Sequence, residues 1–317
     1  MSDAHMSDAA ISDGERARLT TRAALASITM AIFLIVLKAY AALQTGSMAM
    51  LGSLADSGLD LIASLIILLG VRIAAAPADH EHRFGHGKAE ALAALLQVIL
   101  ISLSAIFIGV RAVQRLLSHS ETADAELGIG VSVIAMILTA ALIAYQRHVV
   151  RRTGSLAIGT DRLHYSSDLL LNGSVVVALA LDQYAGLVGA DAVFGVLIAL
   201  WLLWAAWSAS SHALDQLMDR EWPDDLRERF LAAAKEYPLL AGLHDLRTRS
   251  SGTHYFAQFH VWVPQDWTVQ QAHDRLDAIE EELQQRFPGT EILIHVDPEG
   301  QIDRETMLPS AITEKAE

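Results

Sequence analysis

Long apolar stretches alternate with short polar ones through the first two thirds of the chain. Each apolar stretch is about 20 residues long, the length that an α-helix needs to cross the hydrocarbon core of a bilayer. The pattern therefore predicts an α-helical polytopic membrane protein with six transmembrane helices. We place these helices at residues 23–43, 47–73, 89–116, 127–148, 163–183 and 186–208.

From about residue 212 the apolar positions follow the shorter periods of a soluble domain. Residues 224–237 and 269–287 have the spacing of amphipathic helices, and residues 243–250, 255–263 and 291–296 alternate as β-strands do. The order αββαβ predicts a small open-faced α+β sandwich. The predicted division of the chain is an N-terminal segment at 1–22, a transmembrane domain at 23–211, a C-terminal domain at 212–298 and a flexible tail at 299–317.

Basic side chains at alternate helix ends predict the orientation in the membrane. They precede the first span, lie between the second and third spans, and lie between the fourth and fifth spans. Cytoplasmic loops carry an excess of Lys and Arg, so both termini are expected in the cytoplasm. The first 22 residues also lack the apolar core of a secretory signal.

Composition narrows the chemistry further. The chain is 52% hydrophobic and 19% charged, and it has no cysteine, which excludes disulfides and thiolate metal sites. The formal net charge is −14. Residues 212–317 hold 10 Lys and Arg against 21 Asp and Glu, which gives −11 for this part. Such acidity disfavours nucleic acid and favours cations as partners.

Two pairs of polar residues interrupt the apolar spans. Asp56 and Asp60 lie four residues apart in the second span, and His164 and Asp168 have the same spacing in the fifth. This spacing puts each pair on one face of a helix. A charged group near the bilayer centre costs about 3 kcal/mol or more, so such groups usually mark an ion or proton path. Together the pairs offer carboxylate and imidazole ligands for a transported divalent cation.

Two further clusters carry possible metal ligands. The loop after the second span contains Asp79, His80, Glu81, His82 and His86, which either bind a cation together or are solvated polar side chains. The C-terminal domain carries histidines at strand ends and an aspartate two residues after the last of them, a good zinc ligand set. These residues are His244, His260, His273, His295 and Asp297.

Three other functions would also place polar residues in membrane helices or a metal site beside them. An intramembrane metalloprotease needs a His-Glu-x-x-His pattern, but Tyr165 follows His164. A membrane-anchored metal sensor would leave Asp56 and Asp60 without a role. A channel would need no coupled protonation, and the sequence leaves it open.

Several segments together resemble the cation diffusion facilitator family, specifically its bacterial zinc and ferrous-iron efflux branch. They are the Asp56-x-x-x-Asp60 pair, FGHGKAE at 84–90, LHYSSD at 163–168, and the HDLRTR and IHVDP segments of the C-terminal domain. The resemblance extends over residues 20–298. It departs from the family at His80, where related members often have a carboxylate, and in the short connection 146–160, which lacks the histidine-rich insertion of vesicular relatives.

The resemblance implies a homodimer in the inner membrane, with a metallochaperone-like cytoplasmic domain, that exports a divalent cation in exchange for protons. It implies a secondary active transporter, not an enzyme, without an organic cofactor. Zn²⁺ is the expected substrate, with Fe²⁺, Cd²⁺ and Co²⁺ as alternatives. The resemblance also implies three metal sites. The transport site is formed by Asp56, Asp60, His164 and Asp168, the loop site by Asp79, His82 and His86, and a binuclear cytoplasmic site by His244, His260, His273, His295 and Asp297. A charge interlock at the dimer is formed by Lys88 and Asp219.

Overall fold

The structure, a computed structural model, describes residues 12–45, 48–118, 126–185, 190–252 and 254–300. The predictions for most of the N-terminal segment, for the start of the second and sixth spans, and for most of the tail fall outside these ranges. The described residues form two compact units that divide between Leu217 and Met218. Each unit is described by itself.

The first unit contains the six long helices that the sequence predicted. Each helix ends beyond its predicted apolar stretch, because backbone hydrogen bonding continues into the residues that follow. The fifth helix also begins seven residues before the predicted start at 163. The helices are α1 (Asp13–Thr45), α2 (Met48–Ala74), α3 (Ala89–Ser118), α4 (Glu126–Thr153), α5 (Leu156–Ala185) and α6 (Ala190–Leu217).

The surface of this unit is that of a multi-pass membrane protein. Among the described helices, α1, α2, α3, α4 and α6 are long and apolar enough to cross a membrane. The fifth helix, α5, has a similar length, but it is less apolar because it contains polar residues such as His164 and Asp168. Large apolar side chains such as Phe107 and Ile137 are more than 60% exposed on the helix surfaces. An apolar surface of this extent is suited to lipid rather than to water.

Small residues allow the helices to approach one another closely. Helix α3 packs along α6, and α1 packs along α2. Where α2 meets α3, Gly70 faces Ala93, and a Cβ atom at Gly70 would overlap the Cβ of Ala93. Gly195 of α6 faces Ala112 of α3 in the same manner. Such small-residue contacts provide the tight packing that holds helices together in lipid, where the hydrophobic effect between them is lost.

The second unit has the predicted αββαβ order. Its central strand β2 pairs antiparallel with β1 and parallel with β3. The N-terminus of its longer helix is closed by a capping box, in which Thr268 and Gln271 each bind the backbone N–H of the other. The elements are α7 (Asp224–Ala234), a 3-10 turn (Pro238–Leu240), β1 (His244–Ser251), β2 (His254–Val263), α8 (Val269–Arg286) and β3 (Thr290–Pro298).

The two helices cover one face of this sheet and leave the other face open. Phe230 of α7, Phe259 of β2 and Leu283 of α8 are all at most 1% exposed and belong to one core. Side chains alternate along a strand, so the neighbours of Phe259 point to the opposite face. There Trp262 and Leu293 are about half exposed. The fold thus presents one open sheet face on which polar side chains can converge.

We expect opposite effects from two glycine substitutions in the membrane unit. Gly70→Ala should lower the unfolding temperature in detergent, because its Cβ would force α2 and α3 apart at a cost of about 1–3 kcal/mol. Gly159→Ala is the matched control, since a Cβ there meets no described atom within 4 Å. The control should be neutral or gain up to about 1 kcal/mol of helix propensity. Equal unfolding temperatures for the two variants would contradict close α2–α3 packing.

Candidate metal centres

Three predicted ligands converge between α2 and α5. Nε2 of His164 lies 3.0 Å from Oδ1 of Asp60 and 3.9 Å from Oδ2 of Asp168. The side chains of Asp60 and His164 are 15% and 11% exposed. The i, i+4 spacing of His164 and Asp168 puts both on the face of α5 that meets α2. Two carboxylates and one imidazole can hold a divalent cation and leave coordination positions open.

The fourth predicted ligand lies beside this group of three. Asp56 is one turn before Asp60 on α2, but it is exposed, and its ligand atoms are outside the mutual distance that unites the other three. A lysine lies nearby instead: Nζ of Lys38 on α1 donates a hydrogen bond of 2.7 Å to Oγ of Ser57, which is fully buried. The sequence analysis missed Lys38. Its only signal was a single lysine within the apolar stretch 23–43.

A buried polar network continues from this group along α5. The hydroxyl of Tyr165 donates to the carbonyl of Ser27 and contacts Oγ of Ser64 on α2, both at 3.1 Å. Oδ2 of Asp161 accepts hydrogen bonds from Oγ of Ser27 at 2.5 Å and from Nε2 of Gln146 on α4 at 2.8 Å. The network therefore ties α1, α2 and α4 to the helix that carries His164. The sequence analysis missed it, because Asp161 precedes the predicted start of the fifth span.

The loop after α2 brings together Asp79, His82 and His86. Nε2 of His86 lies 3.2 Å from Nδ1 of His82 and 3.4 Å from Oδ2 of Asp79. The turn is made possible by Gly85, whose φ of 77° is in the left-handed region. Nδ1 of His86 donates to the carbonyl of Pro77, which leaves the Nε2 lone pair directed at the group. This is the arrangement expected of a metal-binding histidine.

Backbone hydrogen bonds keep the loop aspartate ionised. The N–H groups of His82 and Glu81 both donate to Oδ1 of Asp79, at 2.6 and 2.9 Å. The bond from His82 is the main cause that lowers the pKa of the Asp79 carboxyl below its usual range. Among the described residues, the three-membered group does not include His80 or the Glu81 carboxylate. The loop site therefore has one carboxylate and two imidazoles.

A row of histidines crosses the open face of the C-terminal sheet. His244 of β1 is paired in register with His260 of β2, and His260 with His295 of β3. Nδ1 of His260 lies 2.8 Å from Oδ2 of Asp297, and Nε2 of His244 lies 3.4 Å from the same oxygen. His295 approaches the other oxygen of Asp297 at 3.4 Å. Four of the five predicted residues thus meet at one carboxylate.

A bulge in β1 makes this convergence possible. The register shifts between His244 and Arg247, and Asp245 has a φ of 49°. His244 and Leu246 would point to one face in a regular strand, but here Leu246 is in the core and His244 is on the open face. The bulge also brings Oδ2 of Asp245 to 3.9 Å from Nε2 of His260. Asp245 is a further acidic neighbour that the sequence analysis missed.

The structure does not bring the fifth histidine into this group. His273 lies on α8 and lines a cavity of about 380 Å³ together with Val263 and Ile294. Helix α8 covers the core face of the sheet, so the sheet separates His273 from His260 within one chain. A role for His273 in the same site stays a prediction.

The two residues of the predicted charge interlock have other partners in their own units. Nζ of Lys88 donates to the carbonyl of Leu217 at 3.2 Å. Oδ1 of Asp219 lies 3.7 Å from a guanidinium nitrogen of Arg249. A bond between Lys88 and Asp219 stays a prediction.

Comparisons with known proteins cover both units. Residues 24–218 match the family model of the cation efflux transmembrane domain, and residues 222–299 match that of the cation efflux protein cytoplasmic domain. The cation-efflux pump FieF of Salmonella typhimurium is 43% identical over 288 residues, which are 91% of this chain and 96% of that protein. The FieF protein of Salmonella enteritidis gives the same values.

Two solved structures are similar to about a quarter of the chain. The structure of CzrB in its Zn form is 39% identical and covers 27% of this chain and 99% of its own, with a TM-score of 0.25. The metal-bound C-terminal domain of the CzcD transporter from Thermotoga maritima is 29% identical and covers 25% of this chain and 93% of its own, with a TM-score of 0.24.

We expect Asp79→Asn to weaken zinc binding at the loop by about ten-fold, or about 1.4 kcal/mol. The loss should be similar at pH 7.5 and pH 5.5. A carboxyl with a lowered pKa remains ionised as the pH falls through this range, so its contribution to zinc binding should be the same at both pH values. The effect is measured by zinc titration of full-length protein in which Asp60 and His260 are also substituted. These substitutions disable the other two candidate sites, so that the loop gives the signal.

His80→Ala provides the matched control for this substitution. His80 adjoins Asp79 in the chain but lies outside the three-residue group, so its removal should leave zinc affinity unchanged. An Asp79→Asn variant that loses the pH dependence itself would contradict an ionised Asp79.

Proposed function

The chain belongs to the cation efflux family, also called cation diffusion facilitators, and from this premise we propose that it exports a divalent metal cation in exchange for protons. The observation that carries the proposal is the group Asp60, His164 and Asp168 between two bilayer-length helices. Both FieF relatives are named cation-efflux pumps.

The charge of the transport site provides the driving force for metal binding. A divalent cation gives up hydration when it enters the membrane, and carboxylates in a low-dielectric surrounding offset that cost. Asp56 lies one turn from Asp60 on the same helix and would add a third carboxylate to the site. We assign all four residues, Asp56, Asp60, His164 and Asp168, to the site.

The same charge couples metal to protons. Carboxylates that converge without a cation repel one another, so the empty site gains by taking up protons. Metal requires deprotonated ligands, and protons and metal therefore compete for them. Metal binds from the cytoplasm, the helices rearrange, and protons from the other side displace the metal. The four-helix polar network around Tyr165 and Asp161 would make α5 move together with its neighbours.

The donor set favours zinc among the candidate metals. Imidazole and carboxylate ligands in a small group suit the tetrahedral geometry of Zn²⁺. Fe²⁺, Co²⁺ and Cd²⁺ accept the same donors. Selection between these ions depends on coordination geometry rather than on affinity. We therefore propose Zn²⁺ as the main substrate and these three ions as further substrates.

We also propose the setting of the transporter. Basic residues at alternate helix ends favour cytoplasmic termini in the inner membrane. Residues 23–211 would then form the membrane domain and residues 212–298 a cytoplasmic domain of a homodimer. In the dimer, Lys88 and Asp219 would form the charge interlock.

The histidine row would give the cytoplasmic domain a regulatory zinc site. Nδ1 of His244 donates to the carbonyl of Gly242, which leaves its Nε2 lone pair facing Asp297. Together with His260, these residues offer zinc two imidazoles and a carboxylate, and His295 adds a third imidazole. Bound zinc would neutralise part of an acidic domain and favour its dimer.

Metal uptake into inside-out vesicles tests the central proposal. With the interior acidic, zinc should accumulate, and a protonophore that collapses the pH gradient should abolish the accumulation. A channel would continue to pass zinc down its concentration gradient. Parallel runs with Fe²⁺, Co²⁺ and Cd²⁺ define the substrate range.

Asp60→Ala and Asp168→Ala should each reduce this uptake to the level of vesicles without the protein. Both residues are proposed ligands, so the variants should still insert into the membrane. Ser166→Ala is the matched control on α5, because its hydroxyl donates to the carbonyl of Arg162 on its own helix. Uptake near the wild-type rate in either aspartate variant would remove the proposed transport site.

The C-terminal unit from Met218 should bind zinc and shift toward a tighter dimer. The expected cause is neutralisation of the −10 charge over residues 218–317, from 10 Lys and Arg and 20 Asp and Glu. His260→Ala or Asp297→Ala should weaken zinc binding about ten-fold or more. His254→Ala, at the start of the same strand and outside the group, serves as the control. Scattering curves that are identical with and without zinc would exclude the regulatory role.

A further inference from the structure

Lys38 places a basic side chain beside the proposed transport site. It lies on α1, seven residues before that helix ends at Thr45. A lysine so close to a helix end in a membrane would ordinarily extend toward the bilayer surface. Its ammonium group instead donates a 2.7 Å hydrogen bond to Oγ of Ser57, a side chain with no exposed surface. The charge is therefore directed into the helix bundle.

The ammonium group is bonded to the turn of α2 that carries two of the transport carboxylates. Ser57 follows Asp56 directly and lies one turn before Asp60 on α2. The charge of Lys38 is close enough to interact with the carboxylates of both Asp56 and Asp168, on two different helices. A cation within membrane helices is stable where carboxylates surround it. The position of Lys38 is thus explained by the site and not by the lipid.

We propose that Lys38 is a resident counter-cation of the transport site, which balances the carboxylates when metal is absent and weakens metal binding enough to allow release. The proposal rests on the transport function given above. A divalent cation that enters must displace the ammonium group from the carboxylates or bind against its repulsion. When the metal leaves, the ammonium group again balances Asp56 and Asp168. Lys38 contacts no metal in this account and acts through the ligands.

If Lys38 has this role, its removal should raise the affinity for zinc. Most substitutions near a binding site weaken binding, because they disturb packing or orientation. Removal of a competing charge does the reverse. Lys38→Met keeps a long unbranched side chain and suits an apolar helix, so the variant should fold and insert. It should bind zinc about ten-fold tighter than wild type, if the removed repulsion is as little as about 1.4 kcal/mol.

The experiment is zinc titration of the full-length protein in detergent at pH 8, where protons compete least with metal. All proteins carry His82→Ala and His260→Ala, so that the membrane site gives the signal. Lys38→Met should bind tighter and should transport more slowly in vesicles at saturating zinc, because release is slower. Lys38→Arg keeps the charge and should restore wild-type affinity. Arg111→Met removes one charge from α3, where the guanidinium lies over the Phe107 ring, and should change nothing.

Two results would overturn the inference, and they are distinguishable. If Lys38→Met binds zinc as wild type does or more weakly, Lys38 is not a competing charge, even where transport itself is intact. If Asp60→Ala in the same background leaves zinc binding unchanged, the proposed transport site is wrong and the inference falls with it. Tighter binding in Lys38→Arg as well would trace the effect to side-chain shape and would also overturn it.

Discussion

An ionised carboxylate within a membrane helix needs a positive partner or a proton, and this constraint organises the membrane unit. Asp60 and Asp168 come from different helices and meet at the same imidazole of His164. Neither helix can rotate without separating a carboxylate from its partner. In a medium of low dielectric constant such a separation costs far more than it would in water. The electrostatics of the site therefore determine how α2 and α5 face one another.

The rest of the membrane unit supports that arrangement in two ways. Close contacts such as that between Gly70 and Ala93 keep the helices packed where lipid offers no hydrophobic driving force. The buried network around Asp161 ties α5 to α1 and α4 through hydrogen bonds of 2.5 and 2.8 Å. A buried polar group without partners is costly, so these bonds hold the helices in a defined register. Through this network, α5 is bonded to both of these neighbouring helices.

The C-terminal unit applies the same chemistry to a sheet. Its core uses one face, and the open face is free to carry histidines. A bulge at Asp245 reverses the direction of one residue, so that His244 joins a row with His260 and His295. The carboxylate of Asp297 lies at the centre of this row, 2.8 Å from Nδ1 of His260 and 3.4 Å from Nε2 of His244. The local backbone irregularity is thus what adds His244 to the residues that meet on β2 and β3.

The sequence by itself determined the six helices, the αββαβ order and the pairs of polar residues that share a helical face. These follow from periods of 3.6 and 2 residues, which are local properties of the chain. The tertiary structure decided which candidates meet: Asp60 rather than Asp56 contacts His164, Lys38 turns inward to Ser57, and His273 lies across the sheet from His260. Rotation of one helix against another and a bulge in a strand depend on packing between distant segments. The periodicity of the sequence does not predict that packing, because it describes only neighbouring residues of the chain.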